Sequence, residues 1–198
     1  MIKVYDNTIR GIVWDRIRYD DYADLNDIDV SDVTDMSSLF ETTFFKGKIN
    51  KWNTHKVISM SNMFQNSVFC GDISGWDTSN VTYMSYMFKS SSFQGDISHW
   101  NVGKVCSMFS MFLDSKFDGD ISRWNINNVI YMNCMFSYTS FDKDLSTWKI
   151  NKECQYDDIF EFGYYDKKLP KGMDPRIAFG KDYNKRFKQK IDEIIKAL

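Results

Sequence analysis

The segment Asn80-Val-Thr-Tyr-Met-Ser-Tyr-Met-Phe88, continued by Phe93, Asp96-Ile-Ser98 and Trp100, is one copy of a 24-residue unit. The chain writes this unit five times from Met36 to Trp148, without insertion or deletion. A strict period of this length is typical of a solenoid, in which each unit buries its apolar face only against its neighbours. The recurring positions include Met36, Met60, Met84, Met108 and Met132; Phe40, Phe64, Phe88, Phe112 and Phe136; and Trp52, Trp76, Trp100, Trp124 and Trp148.

The spacing within one unit predicts two local structures. Buried Trp76 and Thr78 on either side of an outward Asp77 indicate a short strand, because side chains alternate between the faces of a strand. Val81, Met84, Met87 and Phe88 recur at helical spacing and indicate about two turns of helix. We therefore predict an α/β solenoid that is leucine-rich-repeat-like, with a short strand plus a short helix in each 24-residue rung and non-repeat caps at both ends.

Three regions follow from this pattern. Residues 1–23 are predicted to form an N-terminal cap, either as a helix presenting Ile9, Val13 and Ile17 or as a strand presenting Val13, Ile17 and Tyr19. Residues 24–170 are predicted to form the repeat solenoid, with a half repeat, five full repeats and one degenerate repeat. Residues 171–198 are predicted to hold a linker and a C-terminal amphipathic helix.

These repeated residues resemble the BspA-like leucine-rich-repeat family, in particular its mycoplasma-type repeats. The resemblance rests on the pattern N-V-T-x-M-x-x-M-F, four residues, F, x-x-D-I-S-x-W, and it covers residues 24–170. It implies a leucine-rich-repeat fold. Members of that family are typically bacterial surface or adhesion proteins, and similar arrays occur in proteins of unknown function, including viral ones.

The composition limits which classes of partner and which compartment are expected. The formal net charge of −2 favours neither nucleic acid nor a membrane surface as the partner. The first 30 residues show no signal peptide, and no run of about 18 apolar residues suggests a transmembrane segment. The four cysteines lack CxxC or Cys/His spacing, so zinc is not expected and the thiols are expected to be reduced. We expect a cytoplasmic protein, in the host cytoplasm if it is viral.

The predicted partner-binding surface is the concave face of the solenoid. The residues at its candidate positions vary from rung to rung, whereas the apolar residues stay fixed. In repeat proteins such variable surface positions are the ones that contact a partner. Lys51, His99 and Arg123, together with His55, Lys56 and Lys104, make a modestly basic strip that an acidic protein surface would suit; an ordinary solvated face is the alternative. The predicted contact residues are Lys51, Asn53, His55, Asp77, His99, Asn101, Arg123, Asn125 and Lys149.

Neither catalysis nor a cofactor is predicted. His55 and His99 lie two rungs apart in different columns, and no glycine loop for phosphate is present. The column Asp72, Asp96, Asp120 and Asp144 would suit calcium, but a turn-forming role explains each aspartate better.

The sequence therefore predicts a non-enzymatic protein-protein interaction module. The narrower form of this hypothesis is a phage- or virus-encoded factor that binds and inhibits a host protein, and the alternative is a bacterial surface adhesin or a fragment of one. The C-terminal helix is predicted either to cap the last rung or to dock on a partner or a second copy, which leaves monomer and homodimer open. Its docking residues would be Tyr183, Phe187, Ile191 and Ile195.

Overall fold

The computed structural model describes residues 1–163, 165 and 167–180 of the chain. Its regular elements in this part are β1 (Ile2–Lys3), α1 (Ile9–Ile17), β2 (Ile28–Asp29) and α2 (Pro175–Phe179). β1 and β2 pair in parallel. The helix is therefore the correct one of the two alternatives for the N-terminal segment, and its buried face holds Ile9, Val13 and Ile17.

Between β2 and α2 the chain stacks its 24-residue units in parallel. A parallel bridge joins each unit to the next at one shared position, which is occupied by Asp35, Ser59, Tyr83, Ser107, Tyr131 and Gln155. We call the unit around each of these residues a rung and number the rungs one to six in that order. Two further parallel bridges, Asp24 to Lys48 and Lys149 to Lys171, lie near the ends of the stack. The rise from one rung to the next is about 4.8 Å, the usual spacing of paired strands.

The repeated aromatic residues form the core. The rings of Phe64, Phe88 and Phe112 stack with centroid separations of 5.7 Å and interplanar angles of 4–5°. Each tryptophan of the repeat also bonds the unit before it, as when Trp100 Nε1 donates to the Ile73 carbonyl at 3.1 Å. The Met, Phe and Trp columns are buried, as predicted from their spacing.

The prediction of a short helix in every rung is wrong. In residues 84–90 alternate backbone N–H groups donate to the next rung: Met84 to Ser107 at 2.9 Å, Phe88 to Met111 at 2.9 Å and Ser90 to Leu113 at 2.8 Å. In a helix these N–H groups would bind carbonyls four residues back. A two-turn helix is marginal by itself, whereas the neighbouring rung offers aligned carbonyls along its whole length.

The predicted position of the strand is also wrong. Trp76 and Thr78 are buried and Asp77 is exposed, as expected, but this segment is irregular, with backbone bonds from Trp76 to Ile73 and from Val81 to Thr78 that close turns. The inter-rung bridge lies further on, at Tyr83. The leucine-rich-repeat-like solenoid class stays a prediction.

Residues of the N-terminal segment complete the first rung. In rungs two to five, two neighbouring N–H groups donate to one carbonyl of the preceding rung, as Ile58 (2.7 Å) and Ser59 (3.2 Å) donate to Thr34 O. The first rung has no predecessor, and the Asp6 carboxylate takes this place by accepting from the backbone N–H groups of Thr34 (2.7 Å) and Asp35 (3.1 Å).

Two other side chains close the same end. The Arg10 guanidinium donates to the carbonyls of Ser37 (2.7 Å) and Ser38 (3.0 Å), and Trp14 Nε1 donates to that of Leu39 (3.1 Å). In inner rungs the carbonyls at the Ser37 and Leu39 positions accept from N–H groups of the preceding rung. No rung precedes rung one, and the Arg10 and Trp14 side chains supply the donors there instead. The cap therefore satisfies backbone groups that would otherwise remain open.

The far end is closed by α2. Asp158 N–H donates to the Ile177 carbonyl at 2.8 Å, and Phe160 N–H donates to that of Ala178 at 2.9 Å. In rung six Tyr165 takes the position of the second phenylalanine column and stacks on Phe160, with centroids 4.0 Å apart. The degenerate last repeat thus keeps the aromatic stack of the earlier ones.

Candidate interaction surface

The predicted contact residues lie on one side of the stack, which we call the polar face. All of them are exposed except His55, which is half-buried. Several use their side chains in their own turns: Asp77 Oδ1 accepts from Ser79 N–H at 2.9 Å, and Asn101 Oδ1 from Gly103 N–H at 3.1 Å. Such bonds fix the turn and leave only part of each polar group for a partner.

The basic strip of the polar face is only partly available. Lys56 forms an ion pair with Asp32, and Lys104 donates to Asn80 Oδ1 at 2.7 Å. Lys51, His99 and Arg123, by contrast, are exposed and make no ion pair or side-chain hydrogen bond within the described part of the chain. The structure therefore keeps three of the six basic side chains free on this face.

The aspartate column beside this strip shapes turns. Each carboxylate accepts from the backbone N–H two residues on, as Asp96 does from Ser98 and Asp120 from Ser122, both at 2.9 Å. These backbone hydrogen bonds, with those from the serine hydroxyls, lower the pKa of Asp96 and Asp120. No group of three or more His, Cys, Asp or Glu placed to hold a metal ion occurs in the described ranges.

Two thiols are unsuited to nucleophilic chemistry. Burial raises the pKa of Cys154 to about 12, and burial also raises that of Cys134. A thiol of this kind stays protonated at neutral pH and is a weak nucleophile. All four cysteines are free.

A second face of the stack was missed by the sequence reasoning. It comprises residues 58–62, 82–86, 106–110 and 130–134 of rungs two to five, and we call it the tyrosine face. None of these twenty residues is charged. Its most exposed side chains are Ile58 (46 %), Tyr83 (47 %), Ile130 (37 %) and Tyr131 (44 %).

Packing and hydrogen bonds make the tyrosine face a regular platform. Tyr86 meets Phe109 of the next rung edge to face at 5.2 Å, and the hydroxyls of Ser85 and Ser107 bond at 2.7 Å. Backbone N–H groups also bond from rung to rung, as Met60 does to Tyr83 O at 2.9 Å. A partner therefore meets side chains on this face rather than the open backbone of an edge strand.

The sequence contained one signal for this face. Tyr83 and Tyr131 occupy the variable position of the N-V-T-x-M pattern, next to a methionine that is buried. The helix was predicted from Val81, Met84, Met87 and Phe88, and the positions between them were not considered as contact residues. The structure leaves Tyr83 and Tyr131 about half exposed.

The predicted docking residues Tyr183, Phe187, Ile191 and Ile195 lie outside the described residues. No helix within residues 1–163, 165 and 167–180 has both the length and the apolar character needed to cross a membrane. Neither point bears on the two faces of the stack.

Comparison with known proteins gives one match. No curated protein and no solved structure matches the chain. The model of a family described as "Mycoplasma protein of unknown function, DUF285" matches twice, over residues 16–114 and 69–169. These two matches together span the stacked units and most of the chain. The narrower assignment to BspA-like repeats stays a prediction, and the chain belongs to the DUF285 family.

Proposed function

We propose that this chain is a non-enzymatic protein-protein interaction module that binds its partner through the tyrosine face. The observation that supports this proposal is the uncharged surface of four consecutive rungs, with half-exposed tyrosine and isoleucine set among serine, asparagine and threonine. Tyrosine supplies a large contact area with little loss of rotamer freedom, and serine and asparagine supply adaptable hydrogen bonds.

The stack is well suited to hold such side chains in place. Tyr83 and Tyr131 each sit at a bridge position, where backbone bonds tie the rung to both neighbours. A rigid aromatic anchor loses little entropy on binding, so more of its buried area appears as affinity. We propose Tyr83 and Tyr131 as the main anchors, with Ile58 and Ile130 beside them.

The polar face is a second contact surface in this proposal. Lys51, His99 and Arg123 are the basic side chains that are free there, and they would meet acidic groups of a partner. Exposed charges of this kind contribute mainly to association rate and to specificity, and their contribution falls with salt. We therefore assign them a smaller share of the binding free energy than the tyrosines.

Cross-linking capture of partner proteins with two matched variants tests which face binds. One variant carries Tyr83→Ala and Tyr131→Ala, and the other carries Lys51→Glu, His99→Glu and Arg123→Glu. We expect the first to weaken binding of the captured protein by tenfold or more, because buried tyrosines are typical hot spots, and the second to weaken it less and in a salt-dependent way. Tyr19→Ala, at a tyrosine that is 81 % exposed and far from this face in the sequence, is the control.

Retention of full binding by the tyrosine variant would contradict the proposal. Loss of binding in the charge variant alone would move the site to the polar face.

A surface adhesin is the second candidate, favoured by the resemblance of the repeated residues to BspA-like repeats, a family whose members are typically surface or adhesion proteins. Protease treatment of intact cells that carry the native gene separates the two localisations: an adhesin is digested without lysis, and a cytoplasmic protein is protected. The phage or virus origin and the inhibition of a host protein stay predictions; a change in the activity of an identified partner on binding would test the inhibition.

A further inference from the structure

We propose that the tyrosine face binds one extended polypeptide segment that has an uncharged centre and a basic side chain at each end. This inference rests on the proposed function and adds the chemistry of the partner. It follows from the charges at the two ends of the face, from the shape of the face between them, and from what a second copy would encounter there.

Both ends of the tyrosine face are acidic. At rung one there are two carboxylates, those of Asp6 and Asp35, and one guanidinium, that of Arg10. The guanidinium bonds the Ser37 and Ser38 carbonyls. At rung six, the equivalent stretch carries Asp157 and Asp158. Opposite charges on a partner would be attracted to both ends, while its middle would meet no charge from residues 58–62, 82–86, 106–110 and 130–134.

The face between these ends is notched. Tyr83 in rung three and Tyr131 in rung five project beside Ser107 of rung four, which is almost buried. The two tyrosine positions are two rungs apart, about 9.6 Å, which leaves space for one side chain between them. Five rung intervals separate the acidic ends, about 24 Å, and an extended chain covers this distance with about seven residue intervals.

A second copy of the chain fits this face poorly. In an antiparallel pair the rung-one end of one copy would meet the rung-six end of the other, and in a parallel pair each end would meet its equal. Carboxylates would oppose carboxylates in both arrangements, and like charges at an interface are costly. The observations therefore favour a different partner over self-association.

Three synthetic peptide libraries test the proposal on the full chain. Each contains capped peptides of about eight residues whose central positions are randomised among uncharged amino acids, and the two end residues are both lysine, both glutamate or both serine. Retention on the immobilised protein is measured by mass spectrometry, and enriched peptides are titrated by fluorescence anisotropy at about 0.1 M and about 1 M salt.

We expect the lysine-ended library to be retained about tenfold better than the glutamate-ended one, with the advantage lost at high salt. Asp35→Asn with Asp157→Asn should remove this preference, because the amide keeps the hydrogen-bond acceptor and loses the charge. Asp72→Asn, at an exposed turn aspartate outside the face, is the matched control and should change nothing. Tyr83→Ala with Tyr131→Ala should abolish retention of all three libraries.

Each of the other outcomes would contradict one specific part of the proposal. Equal retention of the three libraries that still depends on the tyrosines would refute the basic ends and leave the proposed function intact. Retention that is independent of both tyrosines, or no retention at all, would refute the extended segment, while the cross-linking experiment would decide separately whether the face binds a folded protein. A dimer in sedimentation that Tyr131→Ala dissociates would show that a second copy occupies the face.

Discussion

Left-handed backbone at non-glycine residues is the most unusual feature of single positions in this chain. Within each rung two residues four apart have positive φ, such as Asn62 (60°) and Asn66 (54°) in rung two. Asparagine tolerates this conformation, but rung one places Thr42 there with φ of 56°. A β-branched residue in this region is strained, because its Cβ substituents crowd the backbone.

We expect Thr42→Asn to stabilise the protein by about 0.5–1 kcal/mol, because the exposed threonine is replaced by a residue that accepts positive φ. Urea unfolding followed by circular dichroism measures the change in the free energy of unfolding. Thr82→Asn is the control, since Thr82 is not among the positive-φ residues, and it should not stabilise. Equal effects at both sites would show that backbone strain at Thr42 is not the cause.

At the scale of elements, the N-terminal cap works through individual hydrogen bonds as well as through its buried helix face. The Asp6 carboxylate receives three bonds, from the backbone N–H groups of Thr34 and Asp35 and from the Thr34 hydroxyl at 2.6 Å. Partial burial raises the pKa of Asp6, but these bonds together lower it further, so the net pKa is below its usual value. The charged form is therefore the one that closes the rung.

We expect Asp6→Ala to destabilise the protein by about 1–2 kcal/mol, because two backbone N–H groups lose their acceptor. Since the folded pKa of Asp6 is lowered, its contribution is fully present above the unfolded value of about 3.9 and is lost as pH falls below it through the folded pKa. The difference in unfolding free energy between wild type and Asp6→Ala should therefore shrink as pH falls below about 3.9. A gap that stays constant with pH would contradict the ionic role of Asp6.

At the scale of the whole molecule, the rungs share one continuous aromatic core. Phe112 contacts the rings of Phe88 and Phe136 in the rungs before and after it, both at 5.7 Å, and stacks on Phe117 of its own unit at 4.3 Å. Removing one ring therefore leaves a gap that two neighbouring rungs line. In a stack of this kind stability depends on contacts between nearest neighbours.

We expect Phe112→Ala to lower the free energy of unfolding by about 3–5 kcal/mol, as for other large-to-small changes in a packed core. Phe44→Ala is the control, because Phe44 is 70 % exposed, and it should change stability by less than about 0.5 kcal/mol. Chemical denaturation of both variants gives the comparison. A small effect at Phe112 would mean that the rungs do not depend on a shared core.

The candidate site was less predictable than the core. Lys51, His99 and Arg123 were identified from the sequence because they vary within a fixed frame, and the structure leaves them exposed. Tyr83 and Tyr131 were not identified, because a helix was assigned to their segment and its solvent-facing residues carry no charge that would attract attention. Whether either set binds a partner stays a prediction.

The sequence by itself determined the period and the inward columns, because a repeat of 24 residues can bury Phe64, Phe88 and Trp100 only by stacking like residues on like. The tertiary structure alone decided the backbone path within a rung. Ser90 N–H could bond four residues back or to Leu113 O in the next rung, and the second choice exists only once that rung is in place. The tyrosine face likewise exists only in the stack, because each of four rungs contributes five of its residues.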